Sequence, residues 1–250
     1  AVFYLDGPLL IVAGAGSGKT KVLTSRIVHI INNKKAYPNQ ILAVTFTNKA
    51  AKEMQDRVSK ILKKKAIGLS WLGTFHSICA KLLRKHAQAV SLNANFTIID
   101  QDDQVRLIKN ICKSENIDTK KISPKYILSV IDNWKNKGWY PEEVVIKKKN
   151  ILEKGFLIIY KIYQSKLISL NTCDFSDLIL HCVKIFEKNS DIAELYSKNF
   201  KFILVDEYQD TNLIQSKWLN YLAKYNKNIC CVGDDDQSIY SWRGAEIKNF

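Results

Sequence analysis

Leu9-Leu10-Ile11-Val12-Ala13-Gly14-Ala15-Gly16-Ser17-Gly18-Lys19-Thr20 is the stretch that decides the fold. Its apolar opening, Leu9 to Val12, reads as a buried strand, and the segment from Lys19 to Asn32 is compatible with a helix. Between them Gly14, Gly16 and Gly18 let the backbone curl so that successive N–H groups face one anion, and the helix starting near Lys19 adds its positive end. Phosphate is the natural ligand of such a loop. Ala13 to Thr20 as a whole would cradle it, with Lys19 reaching the β/γ-phosphate oxygens and the Thr20 hydroxyl ligating Mg2+. The pattern G-x-x-x-x-G-K-[ST] is met except at its first position, where Ala13 is a small-residue variant. The dinucleotide pattern G-x-G-x-x-G fails, because the third glycine falls one residue early and Gly18-Lys19-Thr20 is left unexplained.

A second apolar run, Phe202-Ile203-Leu204-Val205, reads as another buried parallel strand whose carboxyl end delivers Asp206 and Glu207. An isolated Asp-Glu pair after a strand is better read as a solvated turn. Joined to an upstream phosphate loop, the pair points to nucleotide hydrolysis: Asp206 holds Mg2+, often through water, and Glu207 polarises the attacking water, with Asp210 the next candidate.

Strand and helix alternate from Leu9 to about Ala87, with strands at 9–12, 41–46 and 69–73 and helices at 19–32, 48–64 and 75–87. That order predicts an α/β fold with a parallel sheet flanked by helices. After a short strand-like Phe96–Ile99, helical patterns near 101–114, 123–136, 151–169 and 175–188 predict an all-helical insertion. Strand-and-helix order returns at 200–206, 212–224 and 228–232. The first domain is therefore expected to be discontinuous, 1–87 with 181–250, around a helical subdomain at 88–180.

Composition points to an anionic partner. The net charge of +14 is concentrated at the start: residues 1–97 carry 15 Lys/Arg against 3 acids, 98–174 carry 14 against 10, and 175–250 carry 9 against 11. A strongly basic segment with the phosphate loop suits ATP phosphates and a nucleic-acid backbone. Yet 33 of the 38 basic residues are Lys, so the runs Lys63-Lys64-Lys65 and Lys147-Lys148-Lys149 read as solvated faces. No apolar stretch approaches the ~20 residues that span a bilayer, and no signal peptide is visible. The six cysteines lack C-x-x-C spacing and read as reduced, buried thiols of a soluble cytoplasmic protein.

Five stretches, AGAGSGKT at 13–20, AVTFTNKAAKEM at 43–54, GTFHSICAKLLR at 73–84, VDEYQDTN at 205–212 and VGDDDQSIYSWRGA at 232–245, resemble in order and spacing the motifs of UvrD/Rep/PcrA-like superfamily 1 DNA helicases. The resemblance covers nearly the whole chain and implies a RecA-like P-loop motor domain that uses ATP and Mg2+. It makes Lys19, Asp206, Glu207 and Gln237 the catalytic candidates, Gln237 as the γ-phosphate sensor, since an amide both donates and accepts without charge. It also implies a single-strand track through Phe46, Tyr240 and Trp242.

From the residues themselves, Thr45-Phe46-Thr47-Asn48 after a strand reads as exposed hydroxyls, an amide and a ring suited to phosphate contacts and base stacking. His76, after the strand at 69–73, and Arg243, flanked by Tyr240 and Trp242, complete the DNA-binding candidates. Trp71, Trp134, Trp139 and Trp218 read as core. The family pattern further implies action on single strands and duplex junctions, 3′-to-5′ translocation, and a role in repair or replication restart. A helicase–nuclease motor and a non-translocating nucleotide- and nucleic-acid-binding module are the alternatives. The chain is expected to be a fragment, starting just past an adenine-reading segment and stopping before a second motor domain, hence binding ATP better than hydrolysing it.

Overall fold

The structure, a computed structural model, describes residues 1–14, 16–117, 122–146 and 151–234. Along the chain the strands are β1 (Leu9–Val12), β2 (Ile41–Thr45), β3 (Leu72–Thr74), β4 (Thr97–Ile98), β5 (Thr172–Cys173), β6 (Phe202–Val205) and β7 (Ile229–Gly233). The helices are α1 (Lys19–Asn32), α2 (Asn48–Leu62), α3 (Phe75–Lys85), α4 (Gln101–Ser114), α5 (Pro124–Asn136), α6 (Ile151–Ser169), α7 (Phe175–Lys188), α8 (Ser190–Asn199) and α9 (Leu213–Ala223). The chain divides into two compact units. One holds Ala1–Cys79 and the chain from Phe186 onward; the other is Ala80–Ile185. Both switches fall inside a helix, α3 and α7.

The first unit is built on a five-stranded sheet in the order β1-β7-β6-β2-β3, every pair parallel. β2 and β6 are continuous apolar runs, buried at every position, as strands covered on both faces must be. Leu23, Ile27, Ile30 and Ile31 recur at helical spacing on α1, and Met54, Val58 and Leu62 on α2, so each helix lays one face on the sheet's core. A fully buried Leu or Ile contributes roughly 1.5–3 kcal/mol by leaving water, and Ile27→Ala would cost roughly 2–5 kcal/mol once the cavity is included. Thr47 starts α2 by accepting the Ala50 N–H, and Lys63, at φ 50, ends it. The Lys run therefore lies beyond the helix, with Lys63 and Lys64 exposed.

The second unit has its own core, made by Ile108, Ile111 and Cys112 of α4, Ile127, Ile131 and Trp134 of α5, and Ile159, Tyr160 and Tyr163 of α6. It is not all-helical: β4 and β5 form a two-stranded parallel pair, Thr97 opposite Thr172 and Ile98 opposite Cys173. β4 falls within the strand-like Phe96–Ile99 of the sequence, whereas the two residues of β5 leave too little alternation for a pattern to detect. Helix α8 also has no counterpart in the sequence reading, its ten residues being short and mostly polar. Trp71, Trp134 and Trp218 are buried, Trp139 half-buried, and all six cysteines are buried free thiols. Among the described residues no helix is long and apolar enough to cross a membrane.

Candidate nucleotide and nucleic-acid site

Because all strands of the first sheet run parallel, their carboxyl ends share one edge, where open α/β sheets bind ligands. The strand order lays the candidates out along it: the phosphate loop after β1, Asp234 after β7, Asp206 and Glu207 after β6, Phe46 after β2, and His76 in the first turn of α3 after β3. Nucleotide candidates occupy one end of that edge and DNA candidates the other.

In the phosphate loop Gly16 and Gly18 have φ of 73° and 91°, left-handed values that favour glycine. Gly18 is the N-cap of α1; no side chain caps the helix, and its first turn carries no acid. The first N–H groups and the positive helix end are thus left for an anion. Ser17, itself exposed, donates its hydroxyl to the Gly14 carbonyl at 2.7 Å, and Ala13 N–H donates to the Gly233 carbonyl at 3.0 Å, tying the loop to the end of β7. Ala15 lies outside the described residues.

Lys19 is nearly buried, its Nζ 3.4 Å from Asp234 Oδ2 and 3.9 Å from Glu207 Oε2. Thr20 Oγ1 donates to Asp206 Oδ2 at 3.4 Å, and Glu207 N–H donates to Asp206 Oδ1 at 3.2 Å. Burial, with the Glu207 charge beside it, pushes the Asp206 carboxyl up to about 6 despite these donors and Lys19. Asp210 is likewise pushed up to about 6 by burial and by Glu207, and its Oδ1 is buried without a partner. A hydroxyl and a carboxylate oxygen side by side, among acids that burial makes reluctant to ionise, are a hard-oxygen set that fits Mg2+. That ion is held by one or two protein oxygens and completes its shell with phosphate and water. This also accounts for the described residues containing no group of three or more His, Cys, Asp or Glu suited to a metal.

On the other side, Phe46 is half-buried, meeting Phe75 edge-on at 5.4 Å between centroids, and Phe75 in turn meets the buried Trp218 at 5.9 Å. Thr47 and Asn48 are exposed and His76 half-buried. Thr45 departs from expectation. It is the last residue of a strand buried on both faces, fully buried itself, and its hydroxyl is spent on the Thr47 carbonyl at 3.1 Å, so it is not an exposed phosphate contact. Gln237, Tyr240, Trp242 and Arg243 lie outside the described residues. Two residues that the sequence reading gave no role stand in the site: Asp234, which accepts from Lys19, and Gln209, between Glu207 and Asp234. Both lie within the stretches that carry the family resemblance, VGDDDQSIYSWRGA and VDEYQDTN, but no local pattern says which atoms they would touch.

The family model of the UvrD/REP helicase N-terminal domain matches residues 1–250. The chain belongs to this family. Over its full length it is 50% identical to a probable DNA helicase II homolog of Rickettsia conorii, of which it covers 38%. It is 49% identical to DNA helicase II of Rickettsia typhi, again covering 38%, and 46% identical to the ATP-dependent DNA helicase PcrA of Staphylococcus epidermidis, covering 34%. The chain thus spans a little over a third of the length of these curated relatives. Membership in the UvrD/REP family accounts for the sheet edge: the same short stretches that carry the resemblance are the ones that leave the strands' carboxyl ends.

Proposed function

We propose that this chain supplies the ATP-binding part of an ATP-dependent DNA helicase, a 3′-to-5′ single-strand translocase of DNA repair or replication restart. The first unit acts as the motor domain and the second as its inserted subdomain. The observation that carries this reading is the convergence of Lys19, Thr20, Asp206 and Glu207, from the ends of β1 and β6, around one uncapped helix N-terminus. Lys19 exchanges Asp234 and Glu207 for phosphate oxygens when Mg-ATP arrives. Thr20 and Asp206 hold the Mg2+, which when bound neutralises charge developing on the phosphates. Glu207 orients the water that attacks the γ-phosphate. Single-stranded DNA and duplex junctions are the partners, held by backbone charge from the basic first segment and by stacking on Phe46, with Thr47, Asn48 and His76 beside it. Six buried free thiols suit the reducing cytoplasm.

Lys19→Ala is expected to abolish binding of a fluorescent ATP analogue while the chain stays folded; undiminished binding overturns the nucleotide assignment. Phe46→Ala is expected to weaken binding of a single-stranded oligonucleotide by roughly 1–3 kcal/mol. Affinity should fall steeply with salt and depend little on base sequence. A flat salt response, or wild-type affinity in Phe46→Ala, places the DNA elsewhere.

A further inference from the structure

Gln209 sits in the short turn Tyr208–Asp210 after β6, with 2% of its surface exposed. Its Nε2 donates to Glu207 Oε2 at 2.8 Å, and its Oε1 accepts the backbone N–H of Asp234 at 3.0 Å. The partners fix the amide's orientation. A backbone N–H can only donate and a carboxylate only accept, so the oxygen must face Asp234 and the nitrogen Glu207. Glu207 needs such a hold: its backbone is left-handed, φ 50 and ψ 47, which is uncommon for a non-glycine residue, and its side chain is 39% exposed. A carboxylate that open would otherwise sample several rotamers.

We propose that Gln209 is a positioning residue for ATP hydrolysis: its amide holds the Glu207 carboxylate in the water-orienting position and ties that position to the end of β7. The inference rests on the reading of Glu207 as the water-orienting base. It makes one linkage of four residues, because Asp234, whose N–H Gln209 reads, is also the carboxylate that accepts from Lys19. The phosphate-contacting lysine and the water-orienting acid are then fixed against the same strand end. Displacement of Lys19 by nucleotide is then felt at Glu207 both across their 3.9 Å pair and through Asp234 and Gln209.

The test is DNA-stimulated ATP turnover by the whole protein. Gln209→Glu keeps the side chain's size and an acceptor for Asp234 N–H, and sets a repelling carboxylate against Glu207 in place of the donor; Gln209→Ala removes both contacts. Both are expected to lower kcat by roughly 10–100-fold, as loss of a hydrogen-bond partner to a reacting group does, while the KM for ATP and the affinity for a fluorescent ATP analogue stay near wild type. If Gln209→Ala folds poorly, as melting would reveal, Gln209→Glu carries the test. In a Glu207→Gln background, adding Gln209→Ala should cost nothing more, because residues acting through one group are not additive. Wild-type kcat in Gln209→Glu, losses that multiply in the double variant, or an equal loss of ATP affinity overturns the proposal. Near-normal turnover in Glu207→Gln alone overturns the reading of Glu207 instead.

Discussion

Two buried lysines among carboxylates, one in each unit, separate a structural joint from a ligand site. Lys135 of α5 is wholly buried, with Nζ 2.6 Å from Asp174 Oδ2 and 2.8 Å from Asp177 Oδ1. Those aspartates cap the start of α7 reciprocally, Asp177 N–H donating to Asp174 Oδ1 at 2.9 Å and Asp174 N–H to Asp177 Oδ2 at 3.2 Å. Tyr163 adds a donor to Asp174 at 3.0 Å and Gln164 one to Asp177 at 3.1 Å, so every carboxylate oxygen is occupied. Burial alone would lower the lysine, but the two aspartates outweigh it and hold it above its ordinary value. Lys19, nearly as buried, has carboxylates only at 3.4 and 3.9 Å, and the Asp210 Oδ1 near them has no partner. The residue types are alike; the saturation differs, and so does the burial of the acids, since Glu207 is 39% exposed. The filled cluster fixes one arrangement, and the underfilled one is the cluster we propose for Mg-ATP.

Breaking the filled cluster should have the largest effect on stability. Lys135→Ala strands two buried carboxylates and is expected to cost roughly 3–5 kcal/mol, read from denaturant unfolding of the second unit's signals; a cost under about 1 kcal/mol would mean the joint does not hold it. Asp132 sharpens the same comparison. It accepts from Ser176 at 3.1 Å, and burial, then the charge of Asp174, push it up to about 6 from 3.8. A carboxyl raised on folding binds more protons in the native state between those values, so its stability contribution falls as pH rises through that window. Asp132→Asn should therefore stabilise the protein by up to about 3 kcal/mol above pH 6 and leave it unchanged below pH 4. A difference independent of pH would place the effect in packing. The smallest effect is expected at the loose cluster. Ligand-free Lys19→Ala should lie within about 1.5 kcal/mol of wild type, well short of Lys135→Ala, since its partners stand 3.4 and 3.9 Å away and Glu207 is open to water. An equal loss at both lysines would erase the distinction.

How far this was legible in the sequence follows from which interactions are local. The phosphate loop, α1 and the acids after β6 each carry their signal within a dozen residues, and the strands β2 and β6 announce themselves as unbroken apolar runs. The order of strands is not local: nothing near Asp234 says that β7 lies between β1 and β6, which is what brings it to Lys19 and to Gln209. Thr45 was misplaced for a related reason. A hydroxyl ending a strand looks available until two-sided burial claims it. The expected domain limits, 87/88 and 180/181, followed the change of pattern, whereas the chain passes between units midway along α3 and in the last turn of α7. Continuous helical periodicity cannot mark such a passage.

The sheet order also governs how the chain must fold. β1 precedes the other strands of this five-stranded sheet in the chain and pairs only with β7 in it, so Leu9 waits for Cys230. β2 likewise lacks its central neighbour β6 until Phe202 has been made. The second unit, continuous from Ala80 to Ile185, leaves the ribosome whole in between and can form its core first. β1 and the β6-facing edge of β2 must therefore persist unpaired and aggregation-exposed while that unit is synthesised. Closure of the central strands, the most non-local event in the molecule, becomes the slow step.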